Sequence, residues 1–187
     1  DGFFSSWSGP ESYTNDILKT VFEIAEEKEF SMGIYLETFQ HSGPKNEDEI
    51  VQWLKYIISN YGSHPSYVKV DGRPLLPIYN SMRLPLEKWR DIFEELRREG
   101  YDAVFLGIGK GFGGYNIENI EVFDGIFEYS VSNLLEHLDL YKSTSRAVSN
   151  YHILNGSNES KFFTATVQPG YDERLLPGRG GSFKDRE

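Results

Sequence analysis

The sequence predicts an α/β fold whose strands run parallel, and three observations carry that prediction. Short apolar runs alternate along the chain with longer segments of helical periodicity. The links between them are short, so successive strands pair in parallel through right-handed crossovers. Nearly every apolar run ends on a polar or aromatic residue, at the carboxyl end where such folds place their working groups. A doubly wound open sheet and a (β/α)8 barrel both satisfy these observations.

The elements follow in order. Asp1–Trp7 reads as a strand. Thr14 or Asn15 then caps a helix with Ile17, Leu18, Val21, Ile24 and Ala25 on one face. Ser31–Glu37 (SMGIYLE) is a strand, and Asn46 with Glu49 three residues on forms a capping-box start. The helix it opens carries Ile50, Leu54, Ile57, Ile58 and Tyr61. Leu75–Tyr79 is the next strand. Pro85 opens the helix LEKWRDIFEELRRE, with Glu94 and Arg98 paired on its outer face, and Gly100 stops it. Ala103–Ile108 is a strand that runs into a glycine-rich loop with little helix after it. Val122–Tyr129 is a strand, a helix spans 133 to about 151, and Phe162–Val167 is the last strand. That makes about six strands in a single domain over 1–187. A barrel needs eight strands and ~250 residues. On the barrel reading the chain is therefore a central piece without its first and last units, and its opening directly on the strand Asp1-Gly2-Phe3-Phe4 agrees with that.

Composition narrows the partners. There are 19 basic and 29 acidic residues, a formal charge of −10 with no basic stripe, which weighs against nucleic acid and anionic membranes. Aromatics reach 15% of residues, and tyrosine and tryptophan suit flat amphipathic ligands such as sugars. The absence of cysteine rules out disulfides, thiolate zinc sites and cysteine nucleophiles, and leaves the compartment open. No run approaches the ~20 apolar residues of a membrane span, and no signal peptide is visible.

The predicted strand ends present Trp7 and Ser8, Glu37, Tyr79 and Asn80, Lys110, Glu128 and Tyr129, and Tyr171 and Asp172. Glu37 and Glu128 each follow a strongly apolar run, as the partly desolvated carboxylates of glycoside hydrolysis do. Three strand positions separate them, wider than the ~5–9.5 Å that an acid–nucleophile or acid–base pair uses. They read instead as acceptors for ligand hydroxyls, against the plainer alternative of rim carboxylates paired with Lys110 or an arginine. His64 stands in Tyr61-Gly62-Ser63-His64-Pro65, where proline fixes an extended backbone and aims the ring. A hydrogen-bonded structural histidine is the alternative there. His41, His137 and His152 have no partner at metal-ligand spacing, so neither a metal nor another cofactor is expected. Gly109-Lys110-Gly111-Phe112-Gly113-Gly114 matches G-x-G-x-x-G but lacks the long helix a nucleotide site needs, and reads as a rim loop.

Taken together, DGFFSSWSGP, GIYLE, YGSHPSY before a strand ending PIYN, VFDGIFEYS, and ATVQPGYDERLLPGRGG resemble glycoside hydrolase family 99 and its relatives. These relatives include endo-α-1,2-mannosidases, endomannanases and WbsX-like proteins. The resemblance runs in order over almost the whole chain. It implies a (β/α)8 barrel and retaining, metal-free cleavage of α-mannosidic bonds inside a glycan. It also implies that the two catalytic glutamates stand in an E-W-x-E-like motif on the last strand. None of the three tryptophans, Trp7, Trp53 and Trp89, has that pattern. The catalytic pair is thus expected beyond residue 187, and this chain alone is expected to be inactive. By position, Glu37, His64, Tyr129, Tyr171 and Arg179 match the family's sugar cleft, with Arg174 an alternative to Arg179. With the strand ends added, the expected binding set is Trp7, Glu37, His64, Tyr79, Glu128, Tyr129, Tyr171 and Arg179, and the partner an oligosaccharide or polysaccharide. The alternative is a non-catalytic glycan-binding or polysaccharide-assembly protein on the same barrel.

Overall fold

A computed structural model of the protein describes residues 1–38, 46–111, 114–115, 117–128, 134–151, 161–164, 171–172 and 183–184. Local chemistry sets the helix starts. Asn46 accepts the Glu49 N–H at 2.9 Å and opens α2, Glu47–Asn60, as its capping pattern predicts. In α1, Tyr13–Glu27, the cap is Ser12 rather than Thr14 or Asn15. Its buried stripe is Leu18, Phe22 and Ala25, while Ile17 and Ile24 are about half exposed. The expected face is therefore rotated: Phe22 packs into the core against Tyr61 and Tyr67, and Ile24 lines a surface pocket beside the half-exposed Phe3. Pro85 precedes α3, Leu86–Arg98, and Gly100, at φ +86°, follows it. The fourth helix, α4, is Leu134–Ser149.

The strands are β1 (Gly2–Trp7), β2 (Ser31–Glu37), β3 (Lys69–Val70), β4 (Arg73–Tyr79), β5 (Val104–Gly111), β6 (Gly114–Tyr115), β7 (Gly125–Glu128) and β8 (Phe162–Thr164). A separate ribbon pairs β9 (Tyr171–Asp172) with β10 (Phe183–Lys184). The main sheet runs β1-β2-β4-β5-β7-β8, with every neighbouring pair parallel. Each new strand adds on the same side of the last, so the order never reverses as it does in a doubly wound sheet. This is the winding of a (β/α)8 barrel, of which the six strands form an arc.

Curvature agrees with winding. Tyr35 of β2 meets Phe127 of β7 edge-on with ring centroids 5.7 Å apart, although β4 and β5 lie between those strands. Neighbouring strands are ~4.8 Å apart, so a flat sheet would hold the two positions roughly 14 Å apart. The sheet curls around its inner side chains.

Three expected boundaries moved, each for a physical reason. Strand β4 starts two residues early because Asp71 (φ +51°) and Gly72 (φ +78°) make a tight turn pairing it antiparallel with β3. Strand β5 runs on to Gly111 and pairs antiparallel with β6, so the glycine-rich stretch is partly a hairpin. Strand β7 begins only at Gly125, because Phe123 is a fully buried plug tilted against Trp89 and edge-on to Phe93. A Cβ on Gly125 would lie 2.4 Å from the Phe162 carbonyl oxygen, so β7 and β8 approach this closely only with glycine there.

Between helices and sheet lies an aromatic-rich core. Phe93 stacks on Phe105 at 4.2 Å, and Phe22 stacks between Tyr61 at 5.3 Å and Tyr67 at 5.7 Å. Burial raises the Tyr61 phenol to about 12 and pushes Tyr67 up as well. A phenol raised in the folded state contributes stability that is complete below its unfolded value of about 10 and lost as pH climbs through the folded value. The melting temperature is expected to fall as pH rises from about 10 towards 12, and to fall less in Tyr61→Phe. Thermal melts across an alkaline series check this, and parallel profiles for the two proteins would contradict it.

Candidate functional site

The pleat sorts strand residues into two sets. Met32, Ile34 and Leu36 of β2, Leu76 and Ile78 of β4 and Phe105 of β5 pack with the helix residues. Tyr79, Val104, Leu106, Ile108 and Phe127 form a second cluster, joined by Tyr35, Leu75 and Phe162, and among the described residues it takes none from α1–α4. That second set is the inner face of the arc. Its carboxyl end is the candidate site.

There Glu37 and Tyr79 are directly in register on adjacent strands. Glu37 is partly exposed, and Ser6 of β1 donates its hydroxyl to Glu37 Oε1 at 2.7 Å. Tyr79 is 7% exposed and tilts against Tyr35 with centroids 5.9 Å apart. The fully buried Thr38 hydroxyl donates to the Tyr79 carbonyl, and Asn80 Nδ2 donates to the Thr38 carbonyl at 3.4 Å. These two bonds stitch the ends of β2 and β4 and fix the Glu37–Tyr79 register. Asn80, at φ +53°, turns the chain away after Tyr79.

Further around, β4 and β5 part company. Their pairing ends at Pro77 and Leu106, and the buried Ser81 and Asn119 fill the gap. Ser81 Oγ accepts the Ile108 N–H at 2.9 Å, and Asn119 Nδ2 donates to the Ile108 carbonyl at 2.7 Å. The next residues carry a register shift between Ile108 and Lys110, which sets Lys110 opposite Glu128. Glu128, 2% exposed, ends β7.

Glu37, Tyr79 and Glu128 thus stand at strand ends as expected, and Tyr171 begins the β9–β10 ribbon. Tyr129 and Arg179, with the alternative Arg174, lie outside the described residues. Two expectations are corrected. Trp7 is fully buried on the helix side, stacked on Tyr56 at 5.7 Å and edge-on to Trp53 at 5.3 Å. Its indole N–H donates to Asn15 Oδ1 at 3.1 Å. Pleat alternation gives Ser6, not Trp7, the inner face. His64 follows α2, which carries the chain back to the amino end of the sheet. Two residues on, the Ser66 carbonyl accepts from Met32 near the start of β2. The His64 ring contacts Phe22 and lies 3.7 Å from Glu26 near the end of α1. It belongs to the opposite end of the arc from Glu37.

At that amino end Arg73, Arg97, Asp102 and Asp124 form a charged network, and Asp124 also accepts the Phe105 N–H at 2.9 Å. A charged network at the amino end of such a sheet serves stability rather than ligand contact. Among the described residues no group of three His, Asp or Glu gathers in a metal-holding arrangement, and no helix is long and apolar enough to cross a membrane.

A singly wound parallel arc with polar groups at its carboxyl end has many possible owners. Comparison with known proteins decides among them: the family model for glycosyl hydrolase family 99 matches residues 2–187. The chain belongs to glycosyl hydrolase family 99. Its curated relatives include the human glycoprotein endo-alpha-1,2-mannosidase-like protein, 24% identical over 186 residues, covering 92% of this chain and 38% of the relative. Mouse glycoprotein endo-alpha-1,2-mannosidase is 23% identical over 198 residues, covering 97% of this chain and 41% of the relative. The chain therefore spans about two fifths of the length of the relatives it matches. Among solved structures, the family 99 endo-alpha-mannosidase from Bacteroides thetaiotaomicron superposes with a TM-score of 0.75 at 22% identity, over 99% of this chain and 54% of that one. That likeness establishes the fold, and the barrel reading stands over the open sheet.

Sequence reasoning missed Ser6, Tyr35, Thr38 and the Ser81–Asn119 clip. Thr38 carried the clearest available signal, a hydroxyl directly after an apolar strand where barrels place working groups.

Proposed function

We propose that this chain supplies the glycan-binding strands of an endo-acting, retaining α-mannosidase-type glycoside hydrolase. The observation that carries the reading is the row Ser6, Glu37 and Tyr79 across β1, β2 and β4, inside a family 99 barrel arc. A carboxylate accepts from sugar hydroxyls, and aromatic rings beside it cover the apolar face of a pyranose. Glu37, Tyr79 and Glu128 form the wall of the cleft, and by resemblance to the family Tyr129, Tyr171 and Arg179 are further sugar-binding residues. Trp7 and His64 have no part in it. The family resemblance implies that the acid and its partner carboxylate stand in an E-W-x-E-like motif, a pattern that no tryptophan here has, and so assigns them to a strand outside this sequence.

The test compares this chain with the full-length protein on α-1,2-linked mannose oligosaccharides. The full-length protein is expected to cleave them internally with retention, and this chain to bind them without turnover. Cleavage by the chain alone would overturn the assignment of the catalytic pair. Binding without cleavage by the full-length protein would instead favour a glycan-binding protein on the same barrel.

A further inference from the structure

We infer that Ser6 is a positioning residue for the glycan site, acting through Glu37. This inference rests on the glycan-binding reading of the cleft. Ser6 and Glu37 are 31 residues apart in sequence and meet across the β1–β2 pair. Tyr35, not Glu37, is the register partner of Ser6, so the contact is diagonal, reaching two residues along β2 on the inner face. At 2.7 Å the hydroxyl-to-carboxylate bond has a well-formed O–H···O length, within reach of the charge-assisted range. Ser6 is exposed, so the core does not need it.

The consequence for Glu37 is geometric. A glutamate on an open surface samples several rotamers, and ordering it on ligand binding costs conformational entropy. The Ser6 hydroxyl holds one oxygen, Oε1, and so orients Oε2 and the remaining lone pairs for a ligand before any ligand arrives. Tyr79, in register on the other side of Glu37, bounds the same position. The three side chains thus make a pre-set acceptor for neighbouring hydroxyls of one sugar ring.

The experiment is a mutant cycle in the full-length protein, read by calorimetric titration with an α-1,2-linked mannotetraose. Ser6→Ala is expected to weaken binding roughly three- to tenfold, the worth of one net hydrogen bond. Ser6→Thr, which keeps the hydroxyl and favours a strand, restores it. In a Glu37→Ala background Ser6→Ala has no further effect, since there is no carboxylate left to hold. The sugar-free readout is the Glu37 side-chain carboxyl carbon resonance, which moves in Ser6→Ala. An unmoved resonance, full affinity in Ser6→Ala, or additive losses in the double variant would each overturn the positioning role. If the unsubstituted protein binds no such sugar while the resonance still moves, the glycan reading itself fails, and the role given to Ser6 fails with it.

Discussion

Trp7→Ala is expected to lower folding stability by about 3–5 kcal/mol, the usual cost of truncating a fully buried large aromatic. At this chain length that is a fall in melting temperature of roughly 6–20 °C. The loss has three apolar parts: the apolar area of an indole at 0% exposure, its stack on Tyr56 at 5.7 Å, and its contact with Trp53 at 5.3 Å. A fourth part is polar. Asn15 is saturated by Trp7, Tyr61, Tyr56 and the Pro10 carbonyl, and removing the indole strips one of those bonds from a part-buried amide. Trp7→Phe keeps most of the packing and loses only the hydrogen bond, so its cost is about 1–2 kcal/mol. Denaturant unfolding of both variants checks the order. Loss of glycan binding with unchanged stability would instead put Trp7 in the cleft.

Glu37→Gln is expected to do the opposite. Glycan affinity should fall about 10- to 100-fold, because hydrogen bonds to a charged group are worth about 1.5–3 kcal/mol and the amide forfeits the charge. Stability should barely move, since Glu37 is only partly buried and a glutamine oxygen still accepts from Ser6. Titration calorimetry and thermal melts on the same preparation give both numbers. A large loss of melting temperature with intact binding would make Glu37 a structural rim carboxylate.

Where the sequence was legible, the cause was local. The Asn46 cap and the run SMGIYLE each depend on neighbours within a few residues, and both elements form where predicted. Glu37 and Tyr79 were placed at strand ends because each ends an apolar run, and each does end its strand. Trp7 was misplaced because GFFSSW has apolar residues at both parities, so alternation is silent about which side faces in. His64 had a usable signal: a residue that follows a helix in a βα chain lies at the amino end of the next strand, away from the working end. Val122 and Phe123 imitated a strand because a buried plug and a buried strand share one composition. The Ser6–Glu37 bond was not legible, since register between distant strands follows from tertiary packing.

The central claim is that glycan binds at the carboxyl end of the arc's inner face. An NMR titration of the labelled protein with an α-1,2-linked mannose oligosaccharide tests it most directly. The predicted perturbations centre on Ser6, Glu37, Tyr79 and Glu128, with His64, Lys19 and Tyr61 unmoved. Perturbations centred on the pocket lined by Lys19, Tyr61 and His64 at the amino end would contradict it.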